Sequence, residues 1–189
     1  MKDPRFHSDW LKETIYHEMS HASHYSKVGT GWYSQFVNAE LAEIVAHPSG
    51  ALNPYGDGHS SNSPIIALGE GWAYHIGHSF TDKHYGMNSD DWGDQGMDYH
   101  NGFPIAGLSS HLNLLENFNH NSATDHFKWI PTGLFYDMID ARNDATAQIF
   151  NALQSDVTSV PSYKARLQQN PGNQTTQITD LELTGTLLL

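Results

Sequence analysis

The sequence predicts a mainly α-helical fold with little or no β-sheet. Apolar residues recur at helical spacing over 9–27, 32–46, 64–80 and 131–142. Helix punctuation falls where those stripes begin or end: Gly29 after the first, Ser63–Pro64 before the third and Pro131 before the last. Only the tail after Pro171, polar and then rich in Thr, Ile and Leu, leans toward a strand.

In chain order, 9–27 places Leu11, Ile15, Met19 and Ala22 on one side, with Gly29 as the stop. The next stripe, 32–46, carries Tyr33, Phe36, Val37, Leu41, Ile44 and Val45 and ends at "HPSG". Residues 48–62 read as a loop from their Pro, Gly, Ser and Asn content. Ser63 then offers a helix cap with proline at the first helical position. The segment 64–80 behind it is apolar nearly all round, as a buried helix would be. Residues 81–104 are rich in Gly and Asp and read as a long surface loop. Helical stripes resume at 105–118, 131–142, 144–155 and 160–169. The expectation is one helical catalytic domain over 1–170, whole or part of a larger protein, followed by a tail at 171–189.

Composition narrows the function. Hydrophobic residues make up 38% of the 189 and charged residues 16%, a globular balance that allows a real core. The formal charge of -12 argues against nucleic acid and anionic membrane surfaces as partners, since both need clustered Lys and Arg. No apolar run approaches the roughly 20 residues of a membrane span, so no membrane insertion is expected. The start, "MKDPRFHSDW", has no basic stretch followed by an apolar one and is not read as a signal peptide. With no cysteine in the chain, any metal must be held by His, Asp or Glu.

Residues 14–25, "TIYHEMSHASHY", carry the chemistry. On a helix His17 and His21 lie about 40° apart around the axis and one turn apart along it, so both imidazoles can reach one ion. Glu18 is rotated too far round to be a third ligand, but it can touch a water at the metal, where a general base belongs. This is the H-E-x-x-H pattern of zinc hydrolases. Composition alone would produce it in roughly 3% of such chains. Solvated surface histidines would not be set inside an apolar helical stripe, as these are between Ile15, Met19 and Ala22.

Elimination leaves two candidates for the third ligand. His24 shares the face of His17, but seven helical residues rise about 10.5 Å, and ligands of one zinc ion lie within about 4 Å of each other. Two carboxylates remain. Glu40 follows His21 after 18 intervening residues, in "NAELAEIV", where Glu40 and Glu43 suit the wet side of an amphipathic helix. Glu70 stands in "ALGEGWAYHIGH", on an apolar helix where a lone carboxylate is costly unless paired or bound to metal. Desolvation therefore favours Glu70.

The pair "YHEMSH" and "LGEGWAYHIG" resembles the gluzincin metallopeptidases, among them fungalysin-like enzymes and several bacterial zinc proteases. The resemblance covers about residues 10–80, and "WIPTGLFYDMIDARND" more loosely. It implies the helical half of a gluzincin domain, with Zn²⁺ held by His17, His21 and Glu70 and with Glu18 as the base. It also implies a peptide or protein substrate and an extracellular or cell-envelope setting. In that family a β-sheet precedes the H-E-x-x-H helix, whereas only nine residues precede Trp10 here. The acid usual four residues after the glutamate ligand is Tyr74 in this chain. Asp137 and Asp140 are candidates to orient the histidine ligands, and Tyr74, Tyr99 and His75 to stabilise an oxyanion.

Two further features are read as structural. The acidic loop "DDWGDQGMD" lacks EF-hand spacing and suits a solvated turn better than a calcium site. His75 and His78 suit partly exposed positions better than a second metal site. The expected function is zinc-dependent peptide hydrolysis. The alternative is an inactive zinc-binding or interaction domain descended from a peptidase, against which the presence of Glu18 argues.

Overall fold

A computed structural model describes residues 8–47, 53–85, 103–104, 111–112, 130, 134–135 and 146–169. These residues form a mainly α fold. Helix α1 spans Ser8–Ala46, α2 spans Ser63–Tyr85, α3 spans Thr146–Ala152 and α4 spans Val160–Gln168. A two-residue antiparallel ribbon pairs β1 (Phe103–Pro104) with β2 (His111–Leu112).

Gly29 does more than stop a helix. It sits at φ 81°, ψ 177° inside α1, a conformation that side-chain-bearing residues rarely adopt, and it divides α1 into two limbs. A Cβ there would meet no atom within 4 Å, so the demand for glycine is conformational rather than spatial. The second limb folds back on the first. The Tyr33 hydroxyl reaches the carbonyl of His21 at 2.6 Å, although twelve residues of continuous helix would separate them by about 18 Å. His21 also meets Phe36 at 5.6 Å between ring centroids, and Tyr25 meets Tyr33 at 5.3 Å.

Helix α2 packs across this hairpin. A Cβ on Gly69 would stand 2.6 Å from the Phe36 ring, and one on Gly77 would stand 3.2 Å from the Glu13 carbonyl and 3.4 Å from the His17 Cβ. The two glycines let α2 approach both limbs closely. As expected, α2 carries a buried stretch, continuous from Ile65 to His75. Trp32, Phe36 and Ala39 of α1 join Ile66, Leu68 and Trp72 of α2 in the core. Ile130, Leu134, Phe135, Ile149, Leu153, Val157, Tyr163 and Leu167 complete it. Two buried aromatic donors are matched to backbone: Trp32 Nε1 donates to the Val157 carbonyl at 2.7 Å, and the Tyr163 hydroxyl donates to that of Ile149 at 3.0 Å. Helix α4 opens with a capping box between Ser159 and Ser162.

Several expectations are corrected. The apolar stripe of the first limb faces solvent: Leu11, Ile15 and Met19 are 45–61% exposed, while Glu13, Ser20, His24 and Val28 are buried. The second limb divides its stripe, exposing Val37, Leu41 and Val45 while Phe36 is buried beside Trp32 and Ala39. Glu43 is on the dry side, not the wet one. It accepts hydrogen bonds from Ser60 Oγ and, at 2.8 Å, from Asn62 Nδ2, so the loop 53–62 supplies the donors that burial of a carboxylate demands. Finally, residues 111–112, inside the expected helix 105–118, pair as a strand instead. Pro104, with no amide hydrogen to give, suits such a short edge. Helix α2 also runs on to Tyr85, past the expected end at 80.

Candidate metal centre

The reversal at Gly29 and the close approach of α2 bring His17, His21 and Glu70 together. The Nε2 atoms of His17 and His21 are 3.2 Å apart. Glu70 Oε2 lies 3.2 Å from His17 Nε2, and Glu70 Oε1 lies 3.2 Å from His21 Nε2. At zinc bond lengths of 2.0–2.1 Å, ligand atoms at the corners of a tetrahedron stand about 3.3–3.4 Å apart. The separation of the two imidazole nitrogens is close to that edge, and each of them meets a different oxygen of Glu70 at the same distance. Glu70 is 2% exposed, and its Oε2 has no aligned hydrogen-bond donor despite the nearness of His17. A buried carboxylate oxygen beside two imidazole nitrogens is a donor set that suits a divalent cation. Among the described residues this is the one group of three or more His, Asp or Glu side chains close enough to share an ion.

The electrostatics follow from burial and proximity. Burial acts to raise the Glu70 pKa, but the close approach of His17 and His21 and their charges overcome it and hold the carboxyl at about 2. Burial acts to lower His21, and here the hydrogen bond and charge of Glu70 prevail, so its pKa is raised. Tyr55 and Tyr74 lie within hydrogen-bond reach of one another, and Tyr55 also reaches Glu70. Burial pushes both phenols up, so each stays protonated at neutral pH.

Glu18, one residue after His17, is exposed and its charge is felt by His21. It stands open to solvent one residue along from His17. Glu40, the rival third ligand, is half-buried and outside the three-residue group, yet it contacts Glu70. Burial, then the Glu70 charge, pushes its carboxyl up to about 8. At neutral pH Glu40 is therefore mostly protonated.

His24 is fully buried against Trp32, with ring centroids 4.5 Å apart, and takes no part in the group. Of the oxyanion candidates, Tyr74 stands edge-on to His17 at 4.6 Å. His75 is buried between Trp72 and Phe135, not partly exposed as expected, which removes it from any open site. Tyr99, Asp137, Asp140 and the acidic loop 90–98 lie outside the described residues, as does the side chain of His78.

Sequence reasoning missed Tyr33, whose hydroxyl lies 3.3 Å from His21 Nδ1. The signal was a glycine eight residues after His21 with an aromatic four residues further on, which becomes legible only once the chain is known to reverse there. Comparison with known proteins gave no matching family model, no matching curated protein and no matching solved structure.

Proposed function

We propose that this chain is a zinc-dependent metallopeptidase of gluzincin type. The observation that carries the reading is the convergence of His17, His21 and Glu70, with one ligand atom from each within 4.8 Å of the others, and with Glu18 exposed one residue along from His17. His17, His21 and Glu70 hold the ion. Zinc, when bound, supplies Lewis-acid activation of a water and of the scissile carbonyl. Glu18 takes the proton from the attacking water and returns it to the departing amide nitrogen. Tyr74, protonated and edge-on to His17, closes one side of the site. The choice of a peptide rests on the resemblance of "YHEMSH" and "LGEGWAYHIG" to that family.

The second reading is a zinc-binding interaction domain without catalysis. The outward apolar residues of both α1 limbs favour it, since exposed patches of this kind mark contact surfaces. Zinc stoichiometry and peptidase rate, measured together, separate the two. Glu18→Gln should keep one zinc per chain and lose about 10²–10⁴ in rate. His17→Ala should lose metal and stability together, because ligand loss is coupled to folding. Equal rates in Glu18→Gln and wild type would defeat the mechanism. Zinc bound with no hydrolysis in any variant would leave the interaction domain.

A further inference from the structure

We infer that Tyr33 is the positioning residue of the candidate centre and that it sets the tautomer of His21. The inference rests on the metal reading above and adds to it the group that prepares one ligand. It follows from the count of hydrogens. The Tyr33 hydroxyl donates to the His21 carbonyl at 2.6 Å, and it has one hydrogen to give. The same oxygen lies 3.3 Å from His21 Nδ1. That second contact must take its hydrogen from the imidazole, so Nδ1 carries the proton. In the neutral, metal-binding form of the ring, Nε2 then presents its lone pair to the space shared with His17 Nε2 and Glu70.

Tyr33 closes a small ring: it accepts from the side chain of His21 and donates to the backbone of the same residue. This fixes both the rotation of the imidazole and the identity of its free nitrogen. Partners of this kind on the far nitrogen of a ligating histidine orient the ring and raise its basicity. The Tyr33 ring cannot drift. Tyr25 packs on it edge-on, Trp32 and Phe36 stand 5.3 and 5.5 Å away, and His24 closes a further side at 5.8 Å. The conformation of Gly29 places the second limb where this contact is possible.

The test uses Tyr33→Phe, which removes the hydroxyl and keeps the ring. Tyr25→Phe serves as control, because its hydroxyl belongs to the same aromatic group but meets Thr30 Oγ1. Zinc affinity is read by chelator competition, and the His21 tautomer by ¹⁵N imidazole NMR of the zinc-loaded and metal-free wild type. The expected result is a 10–100-fold weaker zinc Kd in Tyr33→Phe, no change in Tyr25→Phe, and a protonated Nδ1 on His21 in both wild-type forms. A Kd within twofold of wild type in Tyr33→Phe overturns the inference. So does an equal loss in both variants, which would assign the effect to ring packing. An unprotonated Nδ1 in the wild type overturns it whatever the variants do. A wild type that binds no zinc fails the metal reading instead, and the NMR result on the metal-free protein still decides the Tyr33 contact.

Discussion

His24 should make this fold sensitive to acid, and replacing it should remove part of that sensitivity. The side chain is fully buried and neither ring nitrogen has a hydrogen-bond partner. Burial, with smaller contributions from the charges of His21 and Lys27, pulls its pKa down to about 3 from 6.5. Above pH 6.5 neither the folded nor the unfolded chain protonates this residue, so it makes no pH-dependent difference. Below pH 6.5 only the unfolded chain takes the proton, and stability falls until pH reaches about 3. At pH 5 about 1.5 pH units of that interval have been crossed, which at 1.36 kcal/mol per unit is a loss of about 2 kcal/mol. Against a total stability of about 5–15 kcal/mol, that loss is large. The variant is His24→Phe, whose ring can keep the contact with Trp32. Any packing cost of the larger ring is the same at every pH and cancels. Urea unfolding followed by tryptophan fluorescence, with chelator present throughout, gives the stability of both proteins from pH 7.5 to pH 5. Wild type should lose about 2 kcal/mol more than the variant over that range. A difference that stays constant with pH would refute the reasoning, because it would mean that His24 titrates alike in both states.

Gly69→Ala should destabilise by about 1–3 kcal/mol in urea unfolding, because its Cβ would meet the buried Phe36 ring at 2.6 Å. A gain of stability from helix propensity would show that the ring yields. Glu43→Ala should cost about 2–3 kcal/mol by releasing the Ser60 and Asn62 donors. It should also speed proteolysis within 53–62, and a melting temperature equal to wild type would refute the latch.

Periodicity located the limbs of α1 and the start of α2, since Gly29 and Ser63–Pro64 punctuate them. It did not say which face turns inward. Leu11, Ile15 and Met19 make a regular stripe, but Glu13, Ser20, His24 and Val28 make another at the same spacing, and the second is the one that faces α2 and the other limb. What buries this partly polar face is packing against distant sequence, such as Trp32 against His24, which no local spacing reveals. Glu43 shows the same gap: only the loop 53–62 explains why it is dry. His17, His21 and Glu70 were legible because each needed only a local argument, helical spacing for the first two and desolvation for the third. Tyr33 required knowing that the chain reverses at Gly29, and nothing local distinguishes a reversing glycine from a terminating one.

That reversal bears on the order of assembly. Two of the three ligand atoms and the hydroxyl on His21 come from a span of 17 residues, so they can meet through local contacts, which form early and cheaply in entropy. Glu70 joins only when α2 docks, 49 positions after His21 in the chain. A metal ion held by all three would therefore act on the docking step and not on the hairpin. Zinc should slow unfolding far more than it speeds folding. Stopped-flow kinetics with and without zinc would read this directly, and a zinc-accelerated folding limb would place α2 in the nucleus.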